Sequence, residues 1–224
     1  MGYYSENLAG IRLKQCYDIA PPRVRQYLEA EIKHVLSRLG PGDSVLELGC
    51  GYGRVTREIA REAGRVVGID TAAESLKLAG DAARAEACEY FKMDATDLDF
   101  DDDEFDMVVC VQNGICAFGV DRETLVKEAI RVTRPGGRIL FSTYSGKFWA
   151  HRLRWFELQA EHGLVGEIDY EASGGGVIAC KDGFRAGAMG EEDFRGLCAR
   201  IGVEFSITEV DESSVFCELI KPRV

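Results

Sequence analysis

The amino-acid sequence predicts an α/β fold, a doubly wound and mostly parallel sheet with helices on both faces. Three observations lead there. Apolar runs near residues 45–48, 65–70, 105–111 and 139–143 have the length and continuity of buried strands, and helical patterns lie between them. Gly49, Gly51 and Gly53 follow the first run and precede the first of those helical patterns. Two strand segments end in an acid, Asp70 and Asp94, and open α/β sheets bind ligands at the carboxyl ends of their strands.

The elements follow in order. Pro21 and Pro22 suit a helix start, and Val24, Leu28, Ile32, Val35 and Leu39 recur at helical spacing up to Gly40. The first strand runs through Glu47 into the glycines, and a helical pattern begins at once. Residues 65–70 form a second strand ending in Asp70. Thr71 and Glu74 have capping-box spacing and open a helix that runs to about residue 87. Residues 90–95 read as a third strand ending in Asp94. The acids from Asp97 to Asp106 lack the glycine and closing glutamate of a calcium loop and read as a solvated turn.

Residues 105–111 are the fourth strand. Asp121 opens the next helix, Arg134, Pro135, Gly136 and Gly137 close it, and residues 139–143 make the fifth strand. Phe148, Trp149, Leu153, Phe156 and Leu158 mark a helix within 144–163. Alternation through 166–186, around Gly174, Gly175 and Gly176, predicts an inserted β-hairpin at about 165–187. A helix over 190–201 precedes two last strands, 203–210 and Ser214–Ile220.

Glycines at this spacing let the backbone turn sharply and approach a ligand that a Cβ would block. The helix start beyond them offers unpaired N–H groups to that ligand. A dinucleotide loop is excluded, because its third glycine would fall at Arg54 or Thr56. A P-loop is excluded too, since no Gly-Lys-Ser/Thr follows. What remains, E-x-G-x-G-x-G from Glu47 to Gly53, resembles motif I of class I S-adenosylmethionine (SAM)-dependent methyltransferases. The run R-V-T-R-P-G-G at 131–137 is similar to the turn before their fifth strand.

The resemblance covers residues 40–145 closely and the two ends loosely. It implies a seven-stranded, Rossmann-like sheet whose antiparallel sixth and seventh strands are the last two segments. It also implies SAM as cofactor and S-adenosylhomocysteine (SAH) as product. Glu47, Gly49, Cys50, Gly51 and Gly53 would then surround the methionine part. Asp70, with Thr71 beside it, would take the ribose hydroxyls. Asp94 would lie near the adenine amino group, and Ala95 would supply a backbone N–H. Val111, Gln112 and Asn113 follow the fourth strand, where methyl group and substrate meet. N-terminal segments of this family often fold over the cofactor, so residues 1–40 are expected to form a lid and a helix. In that lid Arg23 is the candidate for the SAM carboxylate, and Tyr17 the candidate to face the methyl group.

Tyr17, Tyr144 and His151 are the catalytic candidates on the substrate side. A base is needed only where the nucleophile must lose a proton. Each candidate has a plain alternative: Tyr17 and Arg23 as packing and solvated side chains, His151 as a surface residue, Gln112 and Asn113 as partners of the turn backbone. Residues 105–113, in the pattern F-D-x-V-x-C-x-x-N, resemble the same stretch of small-amine N-methyltransferases. Cys16, Cys116 and Cys180 suggest arsenite methyltransferases, but the cysteine pattern of those enzymes is missing.

Composition narrows the class further. At 224 residues, 46% of them apolar, one domain is expected: a lid and helix over 1–40 and a core over 41–224. Eight cysteines without C-x-x-C pairs suggest neither disulfides nor a metal site and fit a reducing cytoplasm. No signal-peptide pattern and no membrane-spanning apolar run is present. A net charge of −11 argues against a nucleic-acid substrate. The expected function is methyl transfer from SAM to a small-molecule acceptor. The alternatives are a protein methyltransferase and a SAM-binding regulatory module without turnover. Oligomeric state is not legible in the sequence.

Overall fold

The computed structural model describes Tyr3, residues 7–82 and residues 88–223. Its strands are β1 (Ser44–Leu48), β2 (Arg65–Asp70), β3 (Cys88–Lys92), β4 (Phe105–Cys110), β5 (Thr133–Tyr144), β6 (Ile178–Ala179), β7 (Arg185–Ala186), β8 (Phe205–Val210) and β9 (Ser214–Ile220). The helices are α1 (Ile11–Asp18), α2 (Pro22–Leu36), α3 (Arg54–Ile59), α4 (Ala73–Ala82), α5 (Gly114–Ala117), α6 (Arg122–Val132), α7 (Trp149–Glu161) and α8 (Glu191–Ile201). A 3₁₀ turn, Gly146–Phe148, leads into α7.

Seven strands form one sheet in the order β3-β2-β1-β4-β5-β9-β8. β1 to β5 run parallel, and β9 lies antiparallel between β5 and β8. The central strands are mostly apolar because both faces are covered. Leu46, Val67, Val108 and Ile139 pack with Leu125 and Ala129 of α6 and Phe194 of α8. Val45, Val66, Met107 and Leu140, the alternate residues, pack with Val35 of α2 and with Val55 and Ile59 of α3. Strand order reverses between β1 and β4, and that switch point opens the crevice for a ligand.

Several details differ from the sequence expectation. The strand β5 already begins at Thr133, so residues 134–137 do not form a turn before it. Instead the register with β4 shifts between Phe105 and Met107, and Gly136, at φ +81°, absorbs the irregularity. Pairing there is kept by Gly136 N–H donating to the Lys221 carbonyl and Lys221 N–H donating to that of Gly137. The third strand stops at Lys92, before Asp94. The expected extension of α4 through residues 83–87, and Tyr4 in the N-terminal segment, lie outside the described residues. The three glycines at 174–176 do lie at the tip of an antiparallel arm, in which Ile168 pairs with Cys180. They make a tight turn closed by Gly174 and Val177, while β6 and β7 pair around a turn at Cys180 to Phe184.

Four of the acids after β3 are tied to basic side chains rather than merely solvated. Asp102 meets Arg131, Asp103 meets Lys221, Glu104 meets Arg65 and Asp106 meets Arg134. No helix among the described residues is long and apolar enough to cross a membrane.

The N-terminal helix is strapped over the crevice. Gly10 N–H donates to Ser75 Oγ of α4, Trp155 Nε1 donates to the Cys16 carbonyl, and Arg12 Nη2 reaches the carbonyls of Gly163 and Leu164. Arg152 fastens the β6–β7 segment. Only 1% exposed, it donates to the carbonyls of Gly176, Ala186 and Gly187. Arg152→Met should take this donor from the Gly176 and Ala186 carbonyls and lower stability by about 2–4 kcal/mol. Urea denaturation checks this, with an unchanged midpoint as the contrary result.

Candidate active site

A cavity of about 770 Å³ opens along the carboxyl ends of β2, β1, β4 and β5. Its floor is the glycine loop, and the loop's shape is set by backbone bonds to β2. The N–H groups of Gly49 and Cys50 both donate to the Ile69 carbonyl, each at 2.9 Å. Gly51 N–H donates to Asp70 Oδ2 at 2.9 Å, and Ala72 N–H donates to Oδ1 at 2.8 Å. Gly49 and Gly51 adopt φ +73° and +54°, which side-chain-bearing residues rarely tolerate. A Cβ on Gly49 would also lie 2.4 Å from the Phe118 ring.

Gly53 does something else. It does not line the cavity, and a Cβ there would fall 2.5 Å from the Tyr90 hydroxyl, so its smallness serves helix-to-strand packing.

Two ionisable side chains stand beside the loop. Glu47 accepts from Thr56 Oγ1, and burial pushes its carboxyl up to about 7. Arg54 lines the cavity with Nε and Nη2 buried and without a hydrogen-bond partner among the described residues. Its guanidinium carbon lies 5.2 Å from the centre of the Tyr17 ring. Sequence reading treats Arg54 only as the residue that breaks the dinucleotide pattern. The missed signal is its position: a cation on the first turn of a helix opposes the peptide dipoles and calls for a reason.

Farther along the edge, Asp70 and Thr71 line the cavity after β2, and Asp94 and Ala95 line it after β3. Burial raises the Asp70 carboxyl above the ordinary aspartate value, in spite of its backbone bonds. Asp94 is held by the N–H and hydroxyl of Thr96.

Past β4, Val111, Gln112 and Asn113 reach the cavity, the latter two at φ +56° and +65°. This unusual turn is held from below. Gln112 N–H donates to Ser142 Oγ, and Asn113 N–H donates to the Ser142 carbonyl. Ser142 Oγ in turn donates to Glu31 at 2.6 Å, and Ser214 Oγ donates to the same carboxylate oxygen at 3.0 Å. Glu31 is fully buried, and burial pushes its carboxyl up to about 7. It escaped sequence reading because it shares the helical stripe of Val24, Leu28 and Val35; an acid on that stripe was the available signal.

Tyr17 donates its hydroxyl proton to Gln112 Oε1 at 2.9 Å, which joins α1 to this turn. Tyr144 lines the cavity too, with its phenol raised above the ordinary tyrosine value by burial. The other candidates are directed elsewhere. Arg23 is bound to the carboxylate and carbonyl of Asp211 and sits over Phe148, outside the cavity lining. His151 is exposed and packs on Phe148, since its helix turns Arg152, Trp155 and Phe156 inward instead. Of the three cysteines, Cys16 alone lines the cavity, whereas Cys180 shares its apolar cluster but stays outside the lining. Tyr52, Trp155, Phe156 and Gln159 complete the wall, and none of them was singled out by the sequence pattern as a site residue.

With this geometry in view, the comparisons with known proteins are specific. Residues 45–137 match the methyltransferase-domain family. With the strand order above, the chain has the fold of class I SAM-dependent methyltransferases. A SAM-dependent methyltransferase from Methanosarcina mazei shares the fold at a TM-score of 0.63 and 21% identity, covering 85% of this chain and 97% of its own. The 2-methyl-6-phytyl-1,4-hydroquinone methyltransferase of Synechocystis is 30% identical over 135 residues, 56% of this chain and 42% of that one. The chloroplastic tocopherol O-methyltransferase of Arabidopsis thaliana is 35% identical over 113 residues, 48% and 30% respectively. The chain therefore spans less than half the length of these two curated relatives.

The buried Glu31 gives a pH test. Its carboxyl titrates near 4.5 when unfolded and about 7 when folded. The native state thus holds the proton more tightly, and this contribution to stability is complete below pH 4.5 and lost as pH rises through 7. Glu31→Gln stays neutral throughout. Its thermal midpoint relative to the parent protein should rise between pH 4.5 and 7 and level off above. A pH-independent difference in scanning calorimetry would show that Glu31 is not held with a raised pKa.

Proposed function

We propose that the protein is a SAM-dependent methyltransferase acting on a small molecule bound in this cavity. One observation carries the cofactor assignment: the unpartnered, buried N–H groups of Arg54 beside a glycine cradle, in line with Asp70 and Asp94. The residues present fit SAM. The cradle at Gly49 to Gly51 would lie against the methionine part, and Arg54 would hold its carboxylate in the role expected of Arg23. Asp70, still able to accept on both oxygens, would take the ribose hydroxyls. Asp94 and Ala95 would meet the adenine.

When bound, SAM supplies an electrophilic methyl group on a sulfonium. The side chains contribute alignment and exclusion of water, from which much of the rate gain in such a displacement arises. α1 closes the cavity from above, and the Tyr17–Gln112 hydrogen bond fixes both side chains at the end of β4. Tyr144, kept protonated by burial, is suited to donate a hydrogen bond rather than to remove a proton. The acceptor would enter between these groups.

Asp70→Ala and Arg54→Gln should each weaken SAH binding at least about tenfold, as expected for the loss of hydrogen bonds to a charged or buried partner. Calorimetric titration reads this, and wild-type affinity in both variants would overturn the cofactor assignment. The function itself is tested with methyl-labelled SAM, pure protein and source-cell extract separated by size. Label in the small-molecule fraction is expected. Label on macromolecules would favour a protein substrate, and SAM binding without any transfer would favour a regulatory module.

A further inference from the structure

The two ends of the cavity differ in kind. The ionisable acids and bases of its lining, Glu47, Arg54, Asp70, Lys92 and Asp94, all stand in β1, β2 or β3 or follow them. Beyond β4 the wall includes the four rings of Tyr17, Tyr144, Trp155 and Phe156 besides that of Phe118, with Gln112, Asn113 and Gln159 as its amides. Tyr17 and Trp155 meet edge to face at 5.7 Å, and Trp155 and Phe156 follow at 6.1 Å. Building on the methyl-transfer reading above, we infer that this end takes a neutral, flat aromatic acceptor carrying a hydrogen-bonding oxygen.

Each part of that description has its own ground. Ring edges and faces at these spacings favour another aromatic ring over an aliphatic chain. An ammonium acceptor is disfavoured even though aromatic walls often bind cations. Three of the four rings already face a guanidinium. Arg152 lies 4.3 Å from the centre of Tyr144 and 5.8 Å from that of Phe156, and Arg54 lies 5.2 Å from that of Tyr17. An anionic acceptor is disfavoured for the opposite reason. The Nη groups of Arg152 are committed to backbone carbonyls, so a carboxylate at this end would meet that charge only across the rings and without a paired hydrogen bond.

The oxygen is assigned from the amides. Gln112 Nε2 is buried without a hydrogen-bond partner among the described residues, while its Oε1 is taken by Tyr17. A buried amide N–H in a ligand cavity calls for an acceptor atom. Gln159, only 3% exposed, faces the same space from α7. A ring-borne hydroxyl can accept from one amide and donate to the other.

Calorimetric titrations at saturating SAH test this with three probes of one shape: 2-naphthol, 2-naphthoate and 2-naphthylmethylammonium. The naphthol should bind at least about tenfold more tightly than either charged probe, since burying an unpaired charge is costly. Phe156→Leu and Gln159→Leu should each weaken the naphthol at least about threefold and leave SAH affinity unchanged, which also shows that the variants fold. Preference for a charged probe, or no naphthol binding at SAH saturation, would overturn the inference while leaving the methyltransferase reading in place. Failure of SAH itself to bind would overturn both.

Discussion

Three successive N–H groups of the glycine loop are captured by the end of β2, and the rest of the site depends on this. Gly49 and Cys50 share the Ile69 carbonyl, and Gly51 is held by the Asp70 carboxylate. Buried backbone donors must find partners. Here they find them in a neighbouring strand rather than in their own helix, which forces the chain into left-handed conformations. The loop is thereby flattened against β2, and space opens above it. Asp70 consequently has two tasks: it shapes the loop with one oxygen and presents its carboxylate to the cavity.

A second constraint works on the other side of the switch point. The turn at Gln112 and Asn113 has two successive non-glycine residues at positive φ, which costs conformational energy. It persists because Ser142 on β5 holds both of its N–H groups, and Glu31 on α2 orients the Ser142 hydroxyl. A carboxylate buried on an otherwise apolar helix face is expensive. Its placement makes sense as the anchor of a chain that ends at Gln112, where cofactor and acceptor would meet.

The cavity between these constraints is graded along the sheet edge. Charged and polar groups gather near β2 and β3, rings and amides beyond β4. A charged, many-armed cofactor and a neutral acceptor would each meet the kind of surface that suits it, and α1 covers both.

The sequence by itself determined the sheet, the glycine loop and the acids at the strand ends. Apolar runs, glycines at fixed spacing and strand-ending acids are local signals, so Gly49, Gly51, Asp70 and Asp94 could be read without coordinates. The last two strands and the helix over α8 were equally legible. Tertiary structure alone decided the side-chain partnerships. Arg23 and Arg54 both stand near helix starts, and only packing sends one to Asp211 and the other to the cavity. His151 and Trp155 occupy one helix, and the face that meets the sheet selects the tryptophan. Glu31 and Ser142 lie 111 residues apart, so no spacing rule joins them. Backbone periodicity is written in short stretches of chain, whereas the direction of a side chain depends on every element that packs against it.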